Sequence, residues 1–146
     1  MTQPQPPRSA ALLRLANMRT YERGGGVLTT PLVSASLGAR SFITGITELP
    51  PGAAVPFHSH NCEESVVLLE GEAAIDVDGQ EHRLRPLDST LIPPNVAHRF
   101  RNLSATQAMK IFWIYGSPDA TRTLQATGET HPIAAEHANA HTRPPR

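Results

Sequence analysis

Residues 52–71, GAAVPFHSHNCEESVVLLEG, constrain this chain more than any other stretch, because two histidines and a carboxylate recur there at alternating positions. Alternate side chains of an extended strand share one face. His58, His60 and Glu64 are therefore predicted to point the same way, and Val66 continues that face with an apolar side chain. Such a stretch is typical of one side of a metal site that runs on into apolar lining.

A third imidazole is available from a later segment, residues 87–102, with the sequence LDSTLIPPNVAHRFRN. His98 follows a Pro-Pro-Asn turn there and is predicted to reach the site from a different strand. Phe100 and Asn102 share its face, which places an aromatic wall beside the third imidazole. Three imidazoles and one carboxylate make a mixed nitrogen and oxygen donor set, which suits divalent transition metals.

These two stretches resemble the two motifs that define the cupins. The first motif matches at every defining position, at Gly52, His58, His60, Glu64 and Gly71. The second maps onto Leu87, Pro93, Asn95, His98 and Asn102. It departs from the family pattern twice, because Leu87 and Asn95 stand where glycine is usual. Asparagine is the non-glycine residue that best tolerates a left-handed backbone, so Asn95 is expected to preserve its turn.

The resemblance implies an all-β fold, a single-domain cupin jelly-roll β-barrel with the metal inside its mouth. It also implies that His58, His60, Glu64 and His98 are the metal ligands. At 146 residues and 39% hydrophobic content, the chain is sized for one domain with one modest core. A small jelly roll has an outer sheet face to cover, and the usual solution in the family is a homodimer, which we expect here.

Three regions are expected along the chain. They are a flexible N-terminal tail (residues 1–20), the cupin barrel (residues 21–118) and a polar C-terminal extension (residues 119–146). The extension contains His131, His137 and His141, which lack the paired spacing of ligands. We interpret these three histidines as solvated tail residues.

The strand before the first motif, residues 40–49, lines the pocket in cupins. The sequence does not choose between its two faces, which carry Phe42, Thr44 and Ile46 or Ile43, Thr47 and Leu49. Our substrate-pocket candidates are Phe42, Thr44, Ile46, Val66, Phe100 and Asn102. Further along, Asp78-Gly79 predicts a hairpin. The most apolar strand, residues 108–115 (AMKIFWIY), is expected to be buried on both faces.

Charge and cysteine content exclude several classes of protein. Thirteen basic and thirteen acidic residues balance, which leaves no electrostatic footprint for nucleic acid or an anionic membrane surface. No apolar run approaches the roughly 18 to 20 residues that cross a bilayer. The single cysteine, Cys62, rules out an intrachain disulfide framework and favours a reducing compartment, so a cytoplasmic location is expected.

Three functions are compatible with this donor set. The first resembles the dioxygenase branch of the cupins, a metal-dependent oxidoreductase that acts on a small oxygenated organic molecule. The second resembles the isomerase and decarboxylase branch, in which a redox-inert metal polarises a carbonyl. The third is a non-catalytic module that binds a small molecule.

Neither the metal nor a catalytic side chain beyond its ligands is identified by the sequence. Iron is favoured, with manganese, nickel, zinc and copper left open. The apolar lining expected from Val66, Leu68 and Phe100 favours a partly aromatic or aliphatic substrate over a sugar phosphate.

Overall fold

Two antiparallel β-sheets enclose the core, as the resemblance to a jelly roll predicts. The computed structural model describes residues 9–137 and the backbone of residues 141–143. Within those ranges the strands are β1 (Thr20–Glu22), β2 (Leu28–Pro31), β3 (Ile43–Leu49), β4 (His58–His60), β5 (Glu64–Glu70), β6 (Ala73–Val77), β7 (Gln80–Leu84), β8 (Ser89–Ile92), β9 (His98–Asn102), β10 (Met109–Tyr115), β11 (Thr121–Leu124), β12 (Thr130–Pro132) and β13 (His141–Arg143). Sheet A has the order β13-β1-β2-β3-β10-β5-β8, and sheet B has the order β12-β11-β4-β9-β6-β7.

Helical structure in the described ranges is limited to 3₁₀ turns. They span Leu15–Asn17, Ala35–Leu37 and Ile133–His137. None of the described helices combines the length and apolar character that crossing a membrane requires. The all-β class is therefore confirmed.

The first motif forms a corner between the two sheets and not the continuous strand that its alternation predicts. β4 belongs to sheet B and β5 to sheet A, so the chain crosses between the sheets at residues 61–63. Asn61 holds the crossing in place, because its side chain donates to the carbonyl of Asp119 (3.2 Å) and accepts from the amide of Thr121 (2.9 Å). The alternation of buried side chains continues through the corner, so the three predicted ligands of this motif are all buried.

The predicted turns form at the expected positions, and residues in them adopt the left-handed backbone conformation. Val77 pairs with Gln80, which leaves Asp78-Gly79 as a two-residue hairpin turn in which both residues have positive φ. Asn95 adopts a φ of 65°, which confirms that asparagine replaces glycine there without loss of the turn. Leu87 also adopts a positive φ, 77°, so the turn keeps its backbone geometry although the residue has a side chain.

The expectation that β10 is buried on both faces is wrong. Its residues alternate between buried and half-buried, because the neighbouring strands β3 and β5 cover its edges but not its outer face. Trp113 and Tyr115 point into the core, each 4% exposed. Phe112 and Ile114 lie on the half-buried outer face.

Strands also form beyond the barrel boundary predicted at residue 118. β11 pairs with β4, β12 pairs with β11, and Ile133 is buried in the core cluster. The boundaries between tail, barrel and extension stay predictions. The tail ends, residues 1–8, 138–140 and 144–146, lie outside the described residues.

Gly45 makes room for an indole ring in the core. The register of β3 and β10 places Gly45 opposite Trp113, and a Cβ atom at position 45 would overlap the six-membered part of that ring. The indole Nε1 donates to Thr47 Oγ1 at 2.9 Å, which fixes the ring over the glycine. Gly45 is therefore needed because a side chain, the indole of Trp113, packs directly against the backbone there.

Replacing Gly45 by alanine is expected to destabilise the protein by about 1–3 kcal/mol, the usual cost of forcing extra volume into a packed core. Urea unfolding followed by circular dichroism measures this change. Gly116→Ala is the matched control, because the nearest atom to a Cβ there is the Glu63 carbonyl oxygen at an ordinary 3.4 Å. Equal unfolding midpoints for the two variants would contradict the packing account.

Candidate metal centre

Four side chains from three strands meet inside the barrel. His58 and His60 lie on β4, Glu64 begins β5, and His98 begins β9, with His58 and His98 paired across β4 and β9. All four are buried, and their ligand atoms lie within 4.8 Å of one another. We call these four residues the ligand cluster. The structure thus brings together the four residues that the sequence nominates.

Backbone carbonyls orient the three imidazoles. His58 Nδ1 lies 2.7 Å from the carbonyl oxygen of Pro56, His60 Nδ1 lies 2.8 Å from that of Thr121, and His98 Nδ1 lies 2.9 Å from that of Val96. Because a carbonyl oxygen only accepts, each Nδ1 carries the hydrogen, and each Nε2 keeps its lone pair free. Metal-ligating histidines are held in this way. These partners are backbone atoms, which leave no signal in the sequence.

The free lone pairs face a carboxylate. Glu64 Oε1 lies 2.9 Å from His98 Nε2, and Glu64 Oε2 lies 3.1 Å from His60 Nε2. Among the described residues, Glu64 Oε1 and both of these Nε2 atoms are buried without a hydrogen-bond partner. Acceptors that face acceptors in a dry interior require a proton or a metal ion between them.

A divalent transition ion fits this cluster. Two ligands bound at about 2.1 Å on opposite sides of an ion stand about 4.2 Å apart, close to the spread of the cluster. Imidazole nitrogen and carboxylate oxygen are donors that iron, manganese, nickel, copper and zinc all accept. The four residues could therefore hold a metal, and the donor types alone do not name it.

The electrostatics of the cluster also favour a positive charge at its centre. Burial, Arg122 and the other two imidazoles lower the pKa of His58 to about 2, so it is neutral at pH 7. Burial raises the pKa of Glu64, but His60 and His98 outweigh that effect and the net pKa is lowered. Burial lowers the pKa of His98, but Glu64 outweighs it and the net pKa is raised.

The cluster borders a narrow space that we call the inner cavity. Its volume is about 20 Å³, enough for roughly one water molecule. Its lining is Arg23, Thr47, Val55, His58, Glu64, Val66, Phe100, Ile111, Trp113, Tyr115 and Arg122. Trp113 stacks on Tyr115 with centroids 4.6 Å apart, and Tyr115 lies against His60 at 4.4 Å. Two pocket candidates, Val66 and Phe100, line this cavity.

Phe42, which precedes β3, and the two candidates on β3 lie elsewhere. Phe42 is 46% exposed and borders a surface recess, Thr44 accepts from the backbone amide of Val33, and Ile46 faces a shallow recess on the outer side of sheet A. The opposite parity faces inward, and Thr47 lines the inner cavity. Periodicity sorts the two faces of a strand but does not say which one meets the core.

The side chain of Asn102 makes hydrogen bonds that hold the local backbone in place. Its side-chain amide donates to the carbonyls of Leu49, Pro50 and Gln107, and its Oδ1 accepts from the amide of Ser104. All polar atoms of the side chain are therefore used to tie the turns at the end of β9. Asn102 does not line the inner cavity.

A larger space, the outer chamber, adjoins the inner cavity across Trp113, which borders both. Its volume is about 270 Å³. Its lining is Tyr21, Pro31, Val33, Ser34, Ala35, Ser36, Ile43, Trp113, Pro118, Ile133, Ala134 and His137. An apolar and aromatic wall of this kind suits the hydrocarbon part of an organic ligand.

Arg122 and Arg23 also border the inner cavity, and the sequence did not identify either. Arg122 stands opposite His60 on the neighbouring strand, and its Nε donates to Glu136 Oε2 at 2.6 Å. Arg23 Nε lies 3.6 Å from Glu136 Oε1. We call Arg23 and Arg122 the arginine pair. In the sequence, Arg122 is marked only by the alternation of Thr121, Arg122 and Thr123, a pattern that is also typical of a polar tail.

Two histidines of the extension are not solvated as expected. His131 Nε2 lies 2.8 Å from Glu136 Oε2, and the His137 ring packs 5.3 Å from that of Tyr21. Both are half-buried because the 3₁₀ turn at Ile133–His137 packs Glu136 against Arg122 and His137 against Tyr21. Neither joins the ligand cluster, and the side chain of His141 lies outside the described residues.

Known proteins share this sequence pattern and fold. The family model described as "Cupin domain" matches residues 45–115. "Polyketide synthase CurC" of Streptomyces cyaneus is 36% identical over 89 residues, which cover 60% of this chain and 58% of CurC. "Tetracenomycin polyketide synthase protein TcmJ" of Streptomyces glaucescens is 30% identical over 126 residues, 86% of this chain and 83% of TcmJ. The solved structure of the polyketide cyclase RemF from Streptomyces resistomycificus has a TM-score of 0.67 at 15% identity and 86% coverage of each chain, a likeness of fold alone.

Replacing His60 or His98 by alanine is expected to remove most bound metal, because each change deletes one of four ligands. Elemental analysis of protein purified without added metal measures the ratio of metal to protein. His82→Ala is the control, because His82 is exposed on β7 and outside the cluster. Unchanged metal content in both cluster variants would reject this site.

Glu136 should contribute a pH-dependent part of the stability. Burial raises its pKa, but Arg122 and Arg23 outweigh burial and lower it from 4.5 to about 2. A lowered pKa stabilises the fold above pH 4.5, and that contribution disappears as the pH falls towards 2. Glu136→Gln is thus expected to cost about 1–3 kcal/mol at pH 7 and less at pH 3.

Urea unfolding at both pH values measures the difference between wild type and variant. Exposed Glu129→Gln should match wild type at both values. A Glu136→Gln deficit that is the same at pH 7 and pH 3 would show that the carboxylate charge is not its source.

Proposed function

The chain belongs to the cupin family, and from that premise we propose that it is a metal-dependent enzyme acting on a polyketide-type substrate, a small oxygenated and partly aromatic molecule. The observation that carries the proposal is the buried convergence of three imidazole lone pairs and the Glu64 carboxylate beside an aromatic cavity. The names of CurC, TcmJ and RemF, which refer to polyketide synthases and a polyketide cyclase, support this substrate class.

The ligand cluster would hold the ion with its three Nε2 atoms and Glu64. When bound, a divalent ion supplies Lewis acidity, which stabilises negative charge on a substrate oxygen. Iron is our first candidate, with manganese, nickel, zinc and copper as the others.

The chain's own residues would position the substrate and exclude water. Trp113, Phe100 and Val66 provide apolar walls on the inner cavity. Tyr115 accepts from Arg122 Nη2 at 3.4 Å, so its own hydroxyl hydrogen is free to be donated. Burial raises the pKa of Tyr115, which keeps that hydroxyl neutral and able to hydrogen-bond a substrate oxygen at pH 7.

The reaction that this arrangement favours is non-oxidative ring closure. A methylene between two carbonyls loses a proton, its carbon bonds to a third carbonyl carbon five bonds along the chain, and that carbonyl oxygen takes up a proton. The resulting hydroxyl leaves as water, and the ring ketones enolise to complete the aromatic ring. Negative charge moves from one oxygen to another during this sequence, and the cationic groups beside the cavity would stabilise it at both places. No external oxidant is consumed.

A dioxygenase-like oxidoreductase is the second candidate. The observation that favours it is the donor set itself, because three imidazoles and one carboxylate suit iron and would supply only four ligands to it. Isomerisation or decarboxylation of a carbonyl substrate belongs with the first candidate, since it also needs only a redox-inert metal.

The two candidates differ in oxygen consumption. We expect the metal-loaded protein to accelerate aromatic ring closure of an aryl-substituted 1,3,5,7-tetraketone, followed by absorbance, without change in dissolved oxygen. His98→Ala should lose most of this activity, and His82→Ala should keep it. Oxygen uptake that depends on the tetraketone or on a catechol would support the dioxygenase. Metal binding with neither activity would leave a non-catalytic binding module.

We also propose a homodimer and a cytoplasmic location. The outer face of sheet A supports the homodimer, because Ile46, Val67 and Phe112 are neighbours in register there and only half-buried. Apolar patches of this kind are commonly covered by a second copy. The single cysteine supports a reducing compartment.

A further inference from the structure

Two guanidinium groups beside the inner cavity share one carboxylate. Arg122 is 4% exposed and contacts Glu136 through Nε at 2.6 Å and through Nη2 at 3.5 Å. Arg23 reaches the other oxygen of the same carboxylate at 3.6 Å. Arginine forms strong bidentate pairs with carboxylates, so one glutamate between two arginines is well held.

The carboxylate comes from outside the barrel lining. Glu136 lies on the 3₁₀ turn Ile133–His137, which also contributes Ile133 and His137 to the outer chamber. Both arginines line the inner cavity together with His58 and Glu64 of the ligand cluster, whereas Glu136 does not. The turn therefore borders the outer chamber and supplies the counterion of the cationic wall of the inner cavity.

The charges near the cavity do not balance once an ion is bound. The arginine pair offsets Glu136 and Glu64, and the neutral imidazoles add nothing. A divalent ion in the ligand cluster would therefore leave two uncompensated positive charges in a nearly dry space. Such an excess is costly in a low-dielectric interior unless an anion enters.

We propose that the arginine pair is an anion subsite of the metal cavity, which takes a carboxylate or an acidic enol oxygen of the substrate, and that Glu136 occupies this subsite when substrate is absent. The inference rests on the proposed function for the identity of the substrate. The ligand class is an organic anion with an apolar or aromatic body, because the outer chamber adjoins the subsite across Trp113.

The bound anion competes with Glu136 for the arginines. A ligand must replace the contact of Arg122 with Glu136, which weakens its apparent affinity. Removing the charge at position 136 while keeping its shape should release that competition. Removing the guanidinium of Arg122 should eliminate the subsite itself.

Trp113 provides a direct readout, because it is the chain's one tryptophan and borders both spaces. The experiment titrates benzoate into the metal-loaded protein and follows tryptophan fluorescence, with neutral benzamide as the matched ligand. We expect Glu136→Gln to bind benzoate about tenfold or more tightly than wild type, and Arg122→Gln about tenfold or more weakly. Benzamide affinity should change little in either variant.

Asp76→Asn is the matched control variant. Asp76 is also shared by two arginines, Arg99 and Arg101, but on the outer side of sheet B. Its benzoate affinity should equal that of wild type. If Glu136→Gln does not fold, Glu136→Asp, which keeps the charge but shortens the reach to Arg122, should also tighten benzoate binding.

Two results would overturn the inference: unchanged benzoate affinity in the folded Glu136 variant, or wild-type affinity in Arg122→Gln. Repeating the titration after metal removal separates this inference from the proposed function. Benzoate binding that still depends on Glu136 in a protein without metal-dependent activity would uphold the subsite and reject the enzyme. Metal-dependent activity with no effect of Glu136 on anion binding would do the reverse.

Discussion

The structure depends on one electrostatic constraint, the burial of a carboxylate among three imidazole lone pairs. The ligand atoms lie within 4.8 Å of one another, and the ring hydrogens are all directed away from the centre to backbone carbonyls. Such an arrangement is unfavourable until a cation occupies it. Sheet B contributes the three histidines through the pairing of β4 with β9, and the corner at residues 61–63 brings Glu64 to them from sheet A.

The sequence revealed the ligand cluster because its information is local. Alternation places His58, His60 and Glu64 on one face whether or not the strand bends, and the resemblance to the cupins supplies His98. The face of β3 that lines the cavity depends on how the sheets pack, which periodicity does not contain. Phe42, Thr44 and Ile46 therefore do not line the inner cavity, whereas Thr47 does, and which of these residues contact a substrate stays a prediction.

In the extension after residue 118, composition alone does not predict which polar residues are buried. Polar residues usually mark solvated segments, but Arg122 is buried and Glu136 half-buried, because each neutralises the other. Their partners lie on different strands and turns, so no window of sequence contains both the charge and the reason for its burial. Paired charges are thus indistinguishable from a polar tail until the fold brings them together.

The pairing also bears on selectivity, because the outer chamber and the arginine pair impose separate requirements on a ligand. A neutral apolar molecule fills the chamber but gains nothing from the guanidinium groups, which stay with Glu136. A small inorganic anion can engage the arginines but buries no hydrocarbon. A molecule with an aromatic body and an acidic oxygen satisfies both. The inner cavity holds only about 20 Å³. The binding free energy that a ligand gains from the outer chamber and from the arginine pair must therefore be large enough to displace the turn that carries Glu136 before the substrate reaches the metal.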